Sequence, residues 1–435
     1  MKFRAKGVIG LAAVAALSLA ACSSGDGGGG DKSPSGSEKP SEPITMKFQS
    51  LSDQPGAIAA TEEIVAAWNK ENPDTQVEIV PAGWDGVYDK LVTQFTGGAA
   101  PDIIHYETAS IIPFAEDGYI ADLSDYLSDD VKKDIDQGIW DSVTVNDEII
   151  AVPTELQSYM VFANKGILDE AGVEIPTGDT MAWDELRAIA KATTTDSTFG
   201  LGWGLKSPTA TFMSLGLGFD GTYFEGTGPD AQIKIGAGEL EVPKRIGEMA
   251  FDDKSIDPVS LTQSGSEVLA SFYAGNVALT VQGSFQGANM AKDAPADLDW
   301  IALPPLAGTV SAAQSANPQT LSVNIDSEYV EQAAEFVNFF AGGENMAKLN
   351  LADALIPASN SARESIATET KGADGWDQIL ASGQHLTSAP FLFATSYSQW
   401  KDTVATPAFQ KFLAQQIDLD ALGKELEAGW EQVNR

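Results

Sequence analysis

Apolar residues recur in short blocks whose period changes along the chain. Thr45–Gln49 reads as a strand and Pro55-Gly56 breaks it. Ile58, Glu62, Ile64, Val65 and Trp68 then fall at helical spacing, with the apolar members on one stripe, and Asn72-Pro73-Asp74 ends that helix. Val77–Val80 is a second strand candidate. Val87, Tyr88, Leu91, Val92 and Phe95 mark a second helix closed by Gly97-Gly98, and Pro101–Tyr106 gives a third, mostly apolar strand. Strand, helix, strand, helix, strand with Gly/Pro punctuation predicts a mainly parallel sheet covered on both faces. Ligands of such sheets lie beyond the carboxyl ends of the strands, here Ser50–Gln54 and Tyr106–Ser110.

The alternation restarts downstream. Ile149–Pro153, Tyr159–Phe162, Val277–Val281 and Leu321–Ile325 are strand-like, while Trp183, Leu186, Ile189 and Ala190, and later Ala333, Phe336, Val337 and Phe340, mark helices. Phe409–Val433 is predicted helical with an apolar stripe. No fixed period links these segments, so two unequal α/β lobes fit better than a solenoid. The 9 Trp, 9 Tyr and 19 Phe suffice for two cores.

The ends differ from this body. Lys2, Arg4 and Lys6 precede the apolar run Val8–Ala21, which is shorter than the roughly 20 residues a membrane span needs, so residues 1–21 read as a secretory signal. The run ends in Leu19-Ala20-Ala21-Cys22, and Cys22 is the only cysteine, which leaves no intramolecular disulfide to form. Ser23–Pro43 carries no aromatic or aliphatic side chain and reads as a disordered tether with a reach of roughly 25 Å. The formal charge is −36, and more negative once the three signal cations leave, so nucleic acid and anionic lipid are poor partners for the body. His105 and His385 are the only histidines, too few for a zinc or copper site, and neither a metal nor a cofactor is expected. Gly25–Ser33 lacks the glycine that a phosphate-binding G-x-x-x-x-G-K-[ST] loop places before its lysine.

Several segments, read in order, resemble the extracellular solute-binding proteins of the carbohydrate-uptake type, the family that includes maltose-binding proteins. Leu19–Cys22 resembles a lipobox. Gly97-Gly98-Ala99-Ala100-Pro101-Asp102-Ile103-Ile104, Phe114–Leu123, Ala151-Val152-Pro153 with Phe162-Ala163-Asn164-Lys165, Trp183-Asp184-Glu185-Leu186, Phe272–Leu279, Leu303-Pro304-Pro305, Ala333–Phe340 and Ile356-Pro357-Ala358 are similar to that family's motifs. Ala163 and Ala182 depart from its usual tyrosine and threonine, and after residue 360 the match is looser. The resemblance implies a two-lobed, periplasmic-binding-protein-like fold of the class II type with three crossovers, near Glu155–Ser158, Ile301–Pro304 and Leu355–Ser359. It makes residues 44–155 plus 304–355 the N-lobe and 156–303 plus 356–435 the C-lobe. It also implies lipidation of Cys22, location on the outer face of the cell membrane (or in a periplasm), a monomer, and delivery of a captured sugar to the transmembrane subunits of an ABC permease.

Sugar offers apolar C–H faces to aromatic rings and hydroxyls to polar side chains. The resemblance places Tyr106 and Glu107 in the N-lobe ligand loop, Gln157 at the first crossing, Ser284 and Phe285 where a stacking ring is common, and Trp400 in a late aromatic segment. From the residues alone, Asp53 occupies the first strand-end loop, and Trp203 between Gly202 and Gly204 is expected to keep an uncovered ring. Two other readings stay open: a polyamine or other cationic solute, favoured by acids and aromatic faces, and a glycoside hydrolase, which needs a carboxylate pair but brings no supporting motif here.

Overall fold

The computed structural model describes residues 42–433. The signal at 1–21, Cys22, most of the tether and the last two residues lie outside the described residues. Two sheets organise the body. The first has six strands in the order Ile356–Pro357, Val152–Leu156, Gln319–Val323, Ile103–Glu107, Ile44–Ser50, Thr75–Pro81. Ile44–Ser50 is parallel to both Thr75–Pro81 and Ile103–Glu107, as the strand–helix alternation predicts. Gln319–Val323 and Ile356–Pro357 run antiparallel to their neighbours. The second sheet orders Trp300–Ala302, Tyr159–Asn164, Val277–Gly283 and Phe199–Trp203.

Each lobe is built by burying the apolar stripes read in the sequence. Ala57, Ala60, Ile64, Val65 and Trp68 of helix Pro55–Glu71 face inward, and Trp68 meets Phe336 edge-on at 5.5 Å. Ile58 and Val92, assigned to the stripes, are instead exposed on the outer helix faces. One apolar cluster fills the first lobe and continues through Trp376, Ile379 and Leu380 onto Phe162 and Val277 of the second sheet. The other cluster covers the opposite side of that sheet, with Trp183, Trp203, Phe212 and Trp400.

Two of the three expected crossings lie elsewhere. Gln157-Ser158 joins Val152–Leu156 to Tyr159–Asn164. The return does not fall at Ile301–Pro304, because Leu306–Ala307 still pairs with Met181–Ala182 and Leu303 and Leu306 belong to the second-lobe core. It comes later, between Ser315, whose N–H donates to Ser214 Oγ, and Asn317, which bonds Glu107 and the Ala109 N–H. Nor does the chain leave at Leu355–Ser359. Ile356–Pro357 pairs inside the first sheet, and helix Asn360–Thr370 buries Ala362 and Ile366 in the same cluster. The chain leaves after residue 387: Trp376, Ile379, Leu380 and Leu386 still belong to the first cluster, the Ser388 N–H donates to the Gly138 carbonyl, and Ala389 joins the second.

These connections are hydrogen-bonded to one another. The Gln314 side chain, 1% exposed, accepts from the Tyr159 N–H at 2.7 Å and donates to the Tyr159 carbonyl at 3.0 Å. Its own N–H donates to the His385 carbonyl, and the Ala316 N–H to the Thr387 carbonyl. Ser158 Oγ lies 2.6 Å from Ser382 Oγ. Replacing Gln314 by Ala leaves both Tyr159 backbone groups unpaired in the interior, where each orphan costs about 1–3 kcal/mol. Q314A is therefore expected to lose about 2–4 kcal/mol in urea unfolding. Gln314→Glu, which keeps the acceptor and loses the donor, should lose less below the carboxylate range than above it.

Candidate functional site

The carboxyl ends of Ile103–Glu107 and Val152–Leu156 open onto a cleft whose opposite wall belongs to the second lobe. Its inner chamber, about 190 Å³, is lined by Glu107, Gln157, Tyr159, Ser214, Ser315 and Asn317, among others. An outer chamber of about 570 Å³ is lined by Tyr88, Tyr106, Ser110, Tyr397, Gln399 and Asp402, among others. Glu107, Tyr397, Ser398 and Lys401 line both, so the two are continuous.

Three charged side chains line the cleft, Glu107, Lys401 and Asp402. Glu107 accepts from Ser110 Oγ at 3.0 Å and from Asn317 Nδ2 at 3.1 Å, one bond to each carboxylate oxygen. Lys401 Nζ lies 3.7 Å from the Asp402 carboxylate. Burial raises the phenols of Tyr106, Tyr159 and Tyr397, so all three remain neutral hydroxyl donors at physiological pH. At the outer margin Thr395 Oγ1 donates to Glu116 Oε2 at 3.2 Å, a bond from one lobe to the other.

Three of the expected contacts, Tyr106, Glu107 and Gln157, meet in this cleft. Two others are corrected. Trp203 is 2% exposed and packs on Trp183 and Phe212. Its flanking glycines do not free the ring. A Cβ on Gly202 would meet Val268 and Val277, and one on Gly204 would strike the backbone of Ser264 and Gly265, so they admit a helix against the strand. Trp400 is fully buried, donates from Nε1 to the Leu426 carbonyl at 3.0 Å and abuts Phe224 and Trp430. Ser284 and Phe285 lie outside the chamber walls. Ser284 Oγ accepts from the Ser158 N–H at the first connection, and the Phe285 ring folds back over Gly283. Asp53 is exposed on its loop, also outside these walls.

Sequence reasoning missed Tyr159, Ser214, Ser315, Asn317, Tyr397 and Lys401. Tyr159 had been placed in a strand only. The others lie on a helix, on connectors and on a late turn, where neither periodicity nor a strand end marks them.

Behind the cleft a polar group is buried in the first sheet. His105 Nδ1 accepts from the Leu51 N–H at 3.1 Å, so Nε2 carries the proton and donates to Gln319 Oε1 at 2.6 Å. Glu155, 2% exposed, lies 4.0 Å from that nitrogen. Burial holds the His105 pKa at about 4, against the opposing pull of Gln319 and Asp53. Burial, then the charge of Asp353, pushes Glu155 well above the usual carboxylate range, and burial raises Asp353 too, with Asp53 nearby adding to it. Among the described residues no group of three or more His, Cys, Asp or Glu could hold a metal ion.

Two lobes, three connectors laced to one another and a polar, aromatic cleft between them define a hinged solute receptor. The comparisons agree. Residues 52–347 match the family model described as bacterial extracellular solute-binding protein. A lipoprotein in the oleD 5′ region of Streptomyces antibioticus is 34% identical over 403 residues, 92% of this chain and 86% of that one. The sugar-binding protein MalE from Xanthomonas citri superposes with a TM-score of 0.78 at 19% identity, over 90% of this chain and 97% of MalE. The cyclic alpha-maltosyl-1,6-maltose binding protein from Arthrobacter globiformis gives 0.78 at 16% identity, over 90% and 99%. The chain belongs to the bacterial extracellular solute-binding protein family.

The Glu155 group yields a pH prediction. A carboxyl raised by folding stabilises below its unfolded pKa, and that contribution is lost as pH rises through the folded one. Depressed His105 acts oppositely, withdrawing stability as pH falls from the ordinary histidine range toward 4. Glu155→Gln should therefore unfold at higher denaturant than the parent chain at pH 8. The two midpoints should converge toward pH 4, in urea titrations across that range.

Proposed function

We propose that this chain is the sugar-capturing subunit of an ABC importer. It is held by a lipid on Cys22 at the outer face of the cell membrane, or in the periplasm of a two-membrane cell, and passes its ligand unchanged to the permease. The observation that carries the reading is the set of hydroxyls, amides and phenols that lines the cleft. Glu107 is fixed by Ser110 and Asn317 and Lys401 lies beside Asp402, so an entering solute meets hydroxyls, amides and phenol faces beside anchored charges. That set suits a neutral polyhydroxylated ligand, whose hydroxyls exchange hydrogen bonds and whose C–H faces lie on aromatic rings. MalE and the cyclic maltosyl-maltose binder are named for sugars, which supports the same class.

Capture follows from the connectors. Open and closed arrangements of the lobes exchange, contacts to both lobes favour the closed one, and closure buries the ligand. A bond between the lobes such as Thr395–Glu116 stabilises the arrangement that brings its partners together.

The test is a thermal-shift screen of the chain in detergent against mono- and oligosaccharides, spermidine and amino acids. A ligand that binds only the native state at 100 times its Kd adds about 2.7 kcal/mol. A sugar is expected to raise the melting temperature and to be recovered intact, with spermidine inert. Consumption of the sugar would make the chain a hydrolase, and a shift with spermidine alone would replace the ligand class.

A further inference from the structure

The third connection does not stop at the hinge. After the Ser388 N–H has donated to the Gly138 carbonyl, residues 390–395 run on along the boundary between the lobes. Phe391 and Leu392 anchor this stretch, both buried in the second-lobe core. Phe393, the next residue, is half-buried and packs against both apolar clusters at once. It shares the wall of a cavity of about 580 Å³ with Thr144, Val145 and Asn146, on a hairpin of the first lobe, and with 227–230 of the second.

Polar contacts complete the crossing. Gly228 fixes the backbone of the stretch, donating its N–H to the Phe393 carbonyl at 2.6 Å and accepting from the Thr395 N–H at 3.2 Å. Thr395, held in this way, gives its hydroxyl to Glu116, the last residue of helix Thr108–Glu116 in the first lobe. Gly228 has φ +62°, in the left-handed region that favours glycine. A Cβ there would already touch Glu116 Oε1 at 3.5 Å, so the carboxylate lies directly against this backbone. Phe393, Gly228 and Glu116 stand outside both chamber walls, and Thr395 stands at the outer margin. Each contact is protein on protein and needs no solute to complete it.

We propose that residues 390–395 form a strap that clasps the first lobe through Phe393 and Thr395 whether or not a solute is bound. The strap holds part of the solute-free population closed. A chain that is already closed for part of the time loses less affinity to the closing step than one that is wholly open. The strap therefore tunes affinity from residues that stand apart from the inner chamber. It also continues into the ligand wall, because Tyr397, Ser398 and Lys401 follow it directly. A solute held by those side chains is held by the same short segment that grips the first lobe. The inference rests on the two-lobed hinge and not on the class of solute.

The experiment measures the distance between the lobes of the solute-free chain by double electron–electron resonance. Spin labels are placed at Lys90→Cys and Glu427→Cys, exposed helical positions on opposite lobes. The full chain is used, with Cys22, its only native thiol, replaced by Ser. It is unfolded, dialysed and refolded to strip any carried solute. Two distances are expected for the parent, the shorter one matching this structure. Thr395→Val, which removes the hydroxyl from an exposed side chain, should lower the closed-to-open ratio about three- to tenfold, the range of one hydrogen bond. Phe393→Ala should lower it further. A parent found wholly at the shorter distance supports the strap if either variant brings in the longer one. A parent found only at the longer distance would overturn the proposal, and so would a distribution that neither variant changes. If Phe393→Ala fails to fold, Thr395→Val alone decides the matter.

Discussion

The fold depends on keeping three chain connections in register while two lobes turn about them. The strands beside them, Val152–Leu156, Gln319–Val323 and Ile356–Pro357, are immediate neighbours at one side of the first sheet. The connectors themselves are tied by backbone pairing at 314–316 and by a single buried glutamine that occupies both backbone groups of Tyr159. A hinge assembled from adjacent, mutually bonded segments can bend as a narrow band. Scattered connections would have to shear, and close-packed interiors resist small continuous deformations. The shared apolar contact through Trp376, Ile379 and Leu380 restrains the same band from one side.

The cleft inherits its chemistry from this placement. Parallel strands end at the hinge, so side chains just past those ends meet residues on the connectors without any long loop. Glu107 is the clearest case: it leaves the end of a first-lobe strand and is held by Asn317 from the second connector. Fixing the Glu107 carboxylate with two neutral donors gives a strongly acidic protein a preorganised hydrogen-bonding cleft. The buried carboxyls of Glu155 and Asp353 lie behind it, where their cost falls on stability.

Much of this was legible in the sequence wherever a local rule decides. Strand–turn–helix punctuation located the parallel strands, and the strand-end rule then led to Tyr106 and Glu107. Gln157 came from the family motif around Pro153 and Lys165. Where long-range packing decides, the local reading misled. Trp400 looks like an available ring until Phe224 and Trp430, far away in sequence, cover it. Glycines beside Trp203 looked like exposure but serve close approach of a helix backbone. Leu303-Pro304-Pro305 suggested an interlobe passage, while the partner that keeps the following strand in the second lobe, Met181–Ala182, lies more than a hundred residues earlier. Ser315 and Lys401 had no signature at all, because single polar residues in turns are the default composition of a surface.

The segment that brings Tyr397 and Lys401 to the ligand side is a short helix, Tyr397–Trp400, followed by one wide π-helical turn at Lys401–Ala405 and then by helix Thr406–Leu413. Such a turn holds one more residue than an α-turn and advances the following side chains by about 100° around the axis. Tyr397, Ser398 and Lys401, up to the first residue of the turn, line the cleft, while Ala405 at its end and Ala408, Phe409 and Phe412 beyond it pack in the core with Trp400. The spacing of this segment, more than any side chain in it, therefore assigns residues to ligand or to core. A chain one residue shorter there would keep its ligand wall but turn the stripe beyond it by about 100°, away from the core it now fills.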